Sequence, residues 1–186
     1  MAYLTVENSA AYKSRPRFDT LQGDAMKLLL LDGVSAEGAT RAITLQDVEV
    51  LRGVLSEHKP ELIVIDPIQS YLGADVDAHR SNETRPILDG LAKLAEESHA
   101  AVLILRHASK NGSGRAIYKG LGSIDFTGAV RCELFAGETL EKQKAVCHIK
   151  SNIGPLGPTQ GYEITSADEQ GRLWRQDISV GPETVK

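Results

Sequence analysis

The sequence predicts an α/β fold: a mostly parallel sheet flanked by helices, with an antiparallel hairpin toward the C-terminus. Three observations predict it. Leu62–Asp66 is four apolar residues ending in an acid, with no alternation, the habit of a strand buried on both faces of a parallel sheet. Ala101–Leu105 repeats the pattern. Between them runs a stripe at helical spacing, Ile87, Leu88, Leu91, Leu94 and Ala95. Strands that alternate with helices build parallel sheets.

Met1–Val6 reads as a strand from the second residue. Residues 9–22 read as a helix carrying Arg15 and Arg17, with Pro16 opposing it. Leu28–Leu31 is a second short strand, ended by Asp32 and Gly33. Thr44 caps a predicted helix over Leu45–Glu57, with Val48, Leu51 and Leu55 on one face. After the strand Leu62–Asp66, residues 67–81 read as a polar loop carrying Asp75, Asp77, His79 and Arg80. Ser81 or Asn82 caps the next helix, and Pro86 is expected in its first turn. Residues 108–123 form a Gly-, Ser-, Lys- and Arg-rich loop. Ile124–Phe135 and Lys144–Lys150 read as strands. Gly161–Thr165 and Arg172–Arg175 form a hairpin around a turn at Asp168–Gly171. Residues 1–178 are read as one domain and 179–186 as a polar tail.

A length of 186 residues suits one domain with a sizeable core. A net charge of −4 gives no global attraction to nucleic acid, so such a contact would need a local basic patch. Cys132 and Cys147 are not in metal-like spacing, which makes a reduced, cytoplasmic protein the default. No apolar run approaches the ~20 residues of a membrane span, and no signal peptide is visible.

The chemistry gathers at strand ends. Asp66 closes a buried strand, where open α/β sheets bind ligands, and a carboxylate there suits a hydrated Mg²⁺ carrying phosphates. The next strand delivers His107 and Lys110 to the same edge. An acid beside a His and a Lys is the outline of a phosphate site. The plainer readings stand beside it: Asp66 as a turn cap, His107 as a core histidine, and Lys110, Arg115 and Lys119 as a solvated face rather than a DNA-contacting loop. Asp75, Asp77 and His79 read as solvated loop residues, and Trp174 as core.

At these residues the chain resembles a RecA-superfamily ATPase, nearest to the RepA-like hexameric helicases related to DnaB, over about Tyr3 to Gly157. His107-Ala108-Ser109-Lys110 resembles the family's sensor motif, and Leu62–Asp66 its Walker B strand. Tyr3–Asn8 resembles the strand that brings in the catalytic glutamate, which gives Glu7 that role. Arg131 falls where the family carries an arginine finger. Lys150–Gly157 resembles the DnaB motif Lys-x-Arg-x-Gly-Pro-x-Gly; Lys150 matches its lysine, and Asn152 stands in place of its arginine. The resemblance implies ATP and Mg²⁺ as cofactors, with Asp66, His107 and Lys110 toward nucleotide and Asp66 toward the metal. It implies a homo-oligomeric ring, a hexamer in the family, acting on single-stranded DNA through Lys110, Arg115 and Lys119. It also implies a RecA-like sheet truncated just before the catalytic-glutamate strand, because no Gly-x-x-x-x-Gly-Lys-Ser/Thr segment occurs in the sequence. The start inside a core strand favours a fragment over a natural short form. Two functions follow: a partial ATPase module of a DNA helicase, or a non-catalytic RecA-fold module for binding or assembly.

Overall fold

A computed structural model describes residues 1–6, 14–36, 39–107, 124–139, 141–164 and 173–177. The chain divides into two compact units, Met1–His107 and Ala108–Lys186. The α/β class holds: the first unit carries a four-stranded, all-parallel sheet with helices, and the second an antiparallel sheet.

In the first unit, β1 (Ala2–Thr5), α1 (Arg15–Thr20), β2 (Leu29–Leu31), β3 (Val34–Ala36) and β4 (Ala39–Arg41) come first. They are followed by α2 (Val48–His58), β5 (Leu62–Asp66), α3 (Ser81–Ser98) and β6 (Ala101–Ile104). The sheet order is β2-β1-β5-β6. Ala2, Leu4, Ile63 and Ile65 of the sheet are buried, as are Leu51 and Leu55 of α2 and Leu88, Leu91 and Leu94 of α3.

Helix α2 starts three residues later than the sequence suggests. Asp47 Oδ2 accepts from both the backbone N–H and the hydroxyl of Thr44, which holds residues 44–47 in a turn. An ion pair with Arg41 keeps the Asp47 carboxyl well below the usual carboxylate range. Pro86 lies six residues into α3, past the first turn. The carbonyl it leaves without an N–H belongs to Asn82, which is exposed.

Four other expectations change. The β3–β4 hairpin was not legible. Residues 67–81 are not wholly polar loop: Ile68–Tyr71 form a 3₁₀ turn in which Ile68, Tyr71 and the following Leu72 are buried. Strand β5 buries Ile63 and Ile65 but leaves its other face half-buried. Strand β6 is not a buried run. Among the described residues it is an edge strand, with Leu103 47% and, just past its end, Leu105 39% exposed.

In the second unit, α4 (Asp125–Ala129) is helical where a strand was expected from Ile124, and the strand begins only at β7 (Cys132–Glu138). It pairs with β8 (Lys144–Ser151), then β9 (Gln160–Ile164) and β10 (Leu173–Asp177), all antiparallel. The last two strands are the expected hairpin. Its turn at 168–171, the tail 179–186 and the loop 108–123 lie outside the described residues.

Candidate functional site

The parallel sheet brings its strand ends to one edge, and Asp66 stands there. Thr5 is its register partner on β1, and Ile65 faces Ile104 on β6. Parallel partners share a face of the sheet, so Tyr3 and Thr5 lie on the side of Val64 and Asp66. The apolar partners Leu4 and Ile65 point the other way into the core. Asp66 joins Pro67 through a cis peptide bond.

The Tyr3 hydroxyl donates to Asp66 Oδ2 at 2.8 Å. The Tyr3 pKa is raised, first by burial and also by the Asp66 carboxylate. The Thr5 hydroxyl and the Arg17 guanidinium oppose that rise. Thr5 Oγ1 itself is buried and makes no hydrogen bond of normal geometry. Tyr71 approaches from the 3₁₀ turn. Its hydroxyl is buried with no partner among the described residues, and burial, followed by electrostatic repulsion of its ionised form by Tyr3, Asp66 and Asp32, pushes its pKa up to about 12.

Buried hydroxyls without partners are rare and call for an explanation. Two of them beside a carboxylate at the ligand-binding edge of a sheet fit water molecules around a hard cation. The donor set is all oxygen, as Mg²⁺ requires. Among the described residues, no three His, Cys, Asp or Glu side chains group closely enough to hold an ion directly.

His107 follows β6, the strand next to Asp66, and is exposed. Glu7, Lys110, Arg115 and Lys119 lie outside the described residues. Arg131 and Lys150 come together in the second unit. The N–H of Asn152 donates to the Arg131 carbonyl at 2.8 Å, while the Arg131 side chain is exposed. The Lys150 ammonium donates to the Thr127 and Val130 carbonyls, each at 2.5 Å. It thus holds the C-terminal carbonyls of α4, where the helix dipole favours a cation. Asp77 pairs with Arg80, in keeping with a solvated loop. Tyr3, Thr5, Tyr71 and Asp32 escaped the sequence reading. The one signal available was the i, i+2 spacing of Tyr3 and Thr5 on a strand ending near the acid.

No described helix is long and apolar enough to cross a membrane. Comparison with curated proteins finds no match. A family model described as an AAA domain matches residues 1–113, more than half of the 186-residue chain. The chain therefore belongs to this AAA domain family and carries an ATPase-type domain.

Proposed function

We propose that this chain is part of a RecA-type ATPase of the RepA-like helicase kind, in which ATP hydrolysis in a homo-oligomeric ring is coupled to movement along single-stranded DNA. The observation that carries this reading is the strand order β1-β5-β6. It sets the strand leading to Glu7 beside the strand ending in Asp66, and that strand beside the one leading to His107.

In this reading, Asp66 holds the water shell of Mg²⁺, and the Tyr3 hydroxyl fixes the carboxylate that does so. Mg²⁺, if held there with nucleotide, would supply neutralisation of phosphate charge. Glu7 polarises the attacking water, and His107 reads the phosphate state and passes it to the 108–123 loop. Lys110, Arg115 and Lys119 contact the nucleic acid backbone. Arg131 acts on a neighbouring subunit's site, where a finger residue can contribute roughly 10³–10⁵ in rate. Lys150 would have to leave the carbonyls of α4 to do the same.

A second reading rests on one observation: the 186 residues contain no Gly-x-x-x-x-Gly-Lys-Ser/Thr loop. On that ground the chain alone is a binding or assembly module. One experiment separates the two readings. The 186-residue chain and a version extended by the reading frame upstream of Met1 are compared for Mg·ATP binding by calorimetry and for turnover. The shorter chain should bind ATP more weakly than about 1 mM, roughly −4 kcal/mol. The longer one should hydrolyse ATP, faster with single-stranded DNA. A longer protein without turnover would leave the assembly module, and turnover indifferent to DNA would sink the helicase reading.

A further inference from the structure

The strand register carries an inference about Asp32. Leu4 of β1 pairs with Leu31 of β2 on one side and Ile65 of β5 on the other, and Thr5 pairs with Asp66. One residue beyond Leu31 is Asp32. The β1–β2 pairing ends at Leu31; continued by one residue, that register would set Asp32 beside Thr5, in a cross-strand row with Asp66. With strands about 4.8 Å apart, the two acidic positions are about 10 Å apart with Thr5 between them.

A second observation is independent of the register. Tyr71 belongs to a different segment, and its pKa is raised first by burial, then by Tyr3, with Asp66 and Asp32 adding to the rise. That hydroxyl is buried, on a residue 1% exposed, and has no hydrogen-bond partner among the described residues. Thr5, in the middle of the row, is 9% exposed and its Oγ1 also lacks one. The row thus pairs two carboxylates with two hydroxyls that, among the described residues, have no hydrogen-bond partner of normal geometry.

Two carboxylates two strands apart are badly placed to ligate one Mg²⁺ directly, since direct ligation needs oxygens at about 2.1 Å. They are well placed to accept from water molecules on opposite sides of a hydrated ion. Mg²⁺ gives up its water reluctantly and usually keeps several molecules.

We propose that Asp32 is a second acidic residue of a hydrated divalent-cation site at this edge, holding the water shell opposite Asp66, with the Tyr71 and Thr5 hydroxyls turned to the same waters. The proposal rests on the reading of Asp66 as the metal residue. Asp32 is a positioning residue: it acts through water and fixes where the ion sits along the row. Arg17, close enough to Tyr3 to affect it, is a cationic group near this edge and limits affinity for the bare ion.

The test is equilibrium dialysis of Mn²⁺ against the full 186-residue chain in about 0.15 M KCl, where the Debye length is near 8 Å and distant charges count little. The variants are Asp32→Asn, Asp32→Ser, Asp66→Asn and, as a control on an exposed acid elsewhere, Asp89→Asn. Thermal melts report that each is folded. We expect both Asp32 variants to weaken Mn²⁺ binding about fivefold, Asp66→Asn to weaken it at least as much, and Asp89→Asn to leave it unchanged. Cobalt(III) hexammine, an inert mimic of hydrated Mg²⁺, should displace Mn²⁺ from the native chain. Unchanged binding in both Asp32 variants alongside loss in Asp66→Asn would overturn the role of Asp32 and leave that of Asp66 standing. Unchanged binding in all variants, or no binding by the native chain at millimolar Mn²⁺, would overturn both. Failure of cobalt hexammine to compete would overturn the water-mediated geometry.

Discussion

The hydroxyl of Tyr3 and the carboxylate of Asp66 are hydrogen-bonded at 2.8 Å across two neighbouring parallel strands. The bond occupies Oδ2 of Asp66, which fixes the rotamer and orients Oδ1. Tyr3→Phe keeps the ring packed and removes only the donor. It should lower stability by about 1 kcal/mol, a typical net value for one hydrogen bond. Urea denaturation checks the cost. Mn²⁺ affinity measured on the same variant checks whether orientation of the carboxylate matters. Full native affinity would mean that Asp66 needs no help from Tyr3.

The same two tyrosines predict behaviour in alkali. Tyr3 and Tyr71 both have raised pKa values, Tyr71 to about 12, chiefly through burial. A folded-state pKa above the unfolded value near 10 favours the folded state fully below pH 10, and the benefit is lost as pH rises through the folded value. Thermal midpoints should therefore fall between about pH 10 and 12. In an ultraviolet titration, at least two of the five tyrosines should ionise late. In Tyr71→Phe the late phase should shrink, and metal-free stability should hold or rise, because a buried hydroxyl without a partner is removed. Five tyrosines titrating together near pH 10 would contradict the buried placement.

Lys150 is predicted to be structural in the isolated chain. Its ammonium holds the Thr127 and Val130 carbonyls. Lys150→Ala should therefore destabilise the second unit by about 2 kcal/mol, the range for hydrogen bonds to a charged group. Lys150→Met, which keeps most of the stem, should recover little of it. Hydrogen exchange at residues 125–130 is the direct measurement. Protection equal to that of the native chain would mean that the ammonium is not needed there.

The edge of β6 predicts association. An edge strand presents unpaired N–H and C=O groups, and here exposed Leu103 and Leu105 accompany them. The native chain should form dimers or larger species at micromolar concentration, and Leu103→Lys should shift it toward the 20.1 kDa monomer. Light scattering that gives a monodisperse monomer for the unmodified chain would rule this out.

How far the sequence could be read depended on whether local spacing carried the signal. The run at 62–66 and the Leu88, Leu91 and Leu94 stripe stated their elements directly, because burial of one face imposes a period. The exposed β3–β4 hairpin buries little and so leaves no period. Ile68, Tyr71 and Leu72 are core residues in an irregular segment, where burial follows no repeat. The short helix α4 depends on Lys150, more than twenty residues away in the chain, for its C-terminal contacts. The apolar run at 101–105 disclosed a strand but not its position at the sheet edge, since strand order is not a local property. The place of Asp66 at the end of its strand was legible. The hydrogen bond it takes from Tyr3 was not, because the register of two strands far apart in sequence brings the pair together.

The register that aligns Thr5 with Asp66 also guards the site against error. Side chains alternate along a strand, so a slip of one residue in the β1–β5 pairing would turn β1's Tyr3 and Thr5 inward, offering Ala2 and Leu4 to the polar face. Leu4 and Ile65, at 1% and 0% exposure, resist that slip on every cycle of folding. The greasy side of the sheet thus serves as a ruler for the wet side: residues that never meet a ligand set, to the nearest residue, where its carboxylates stand.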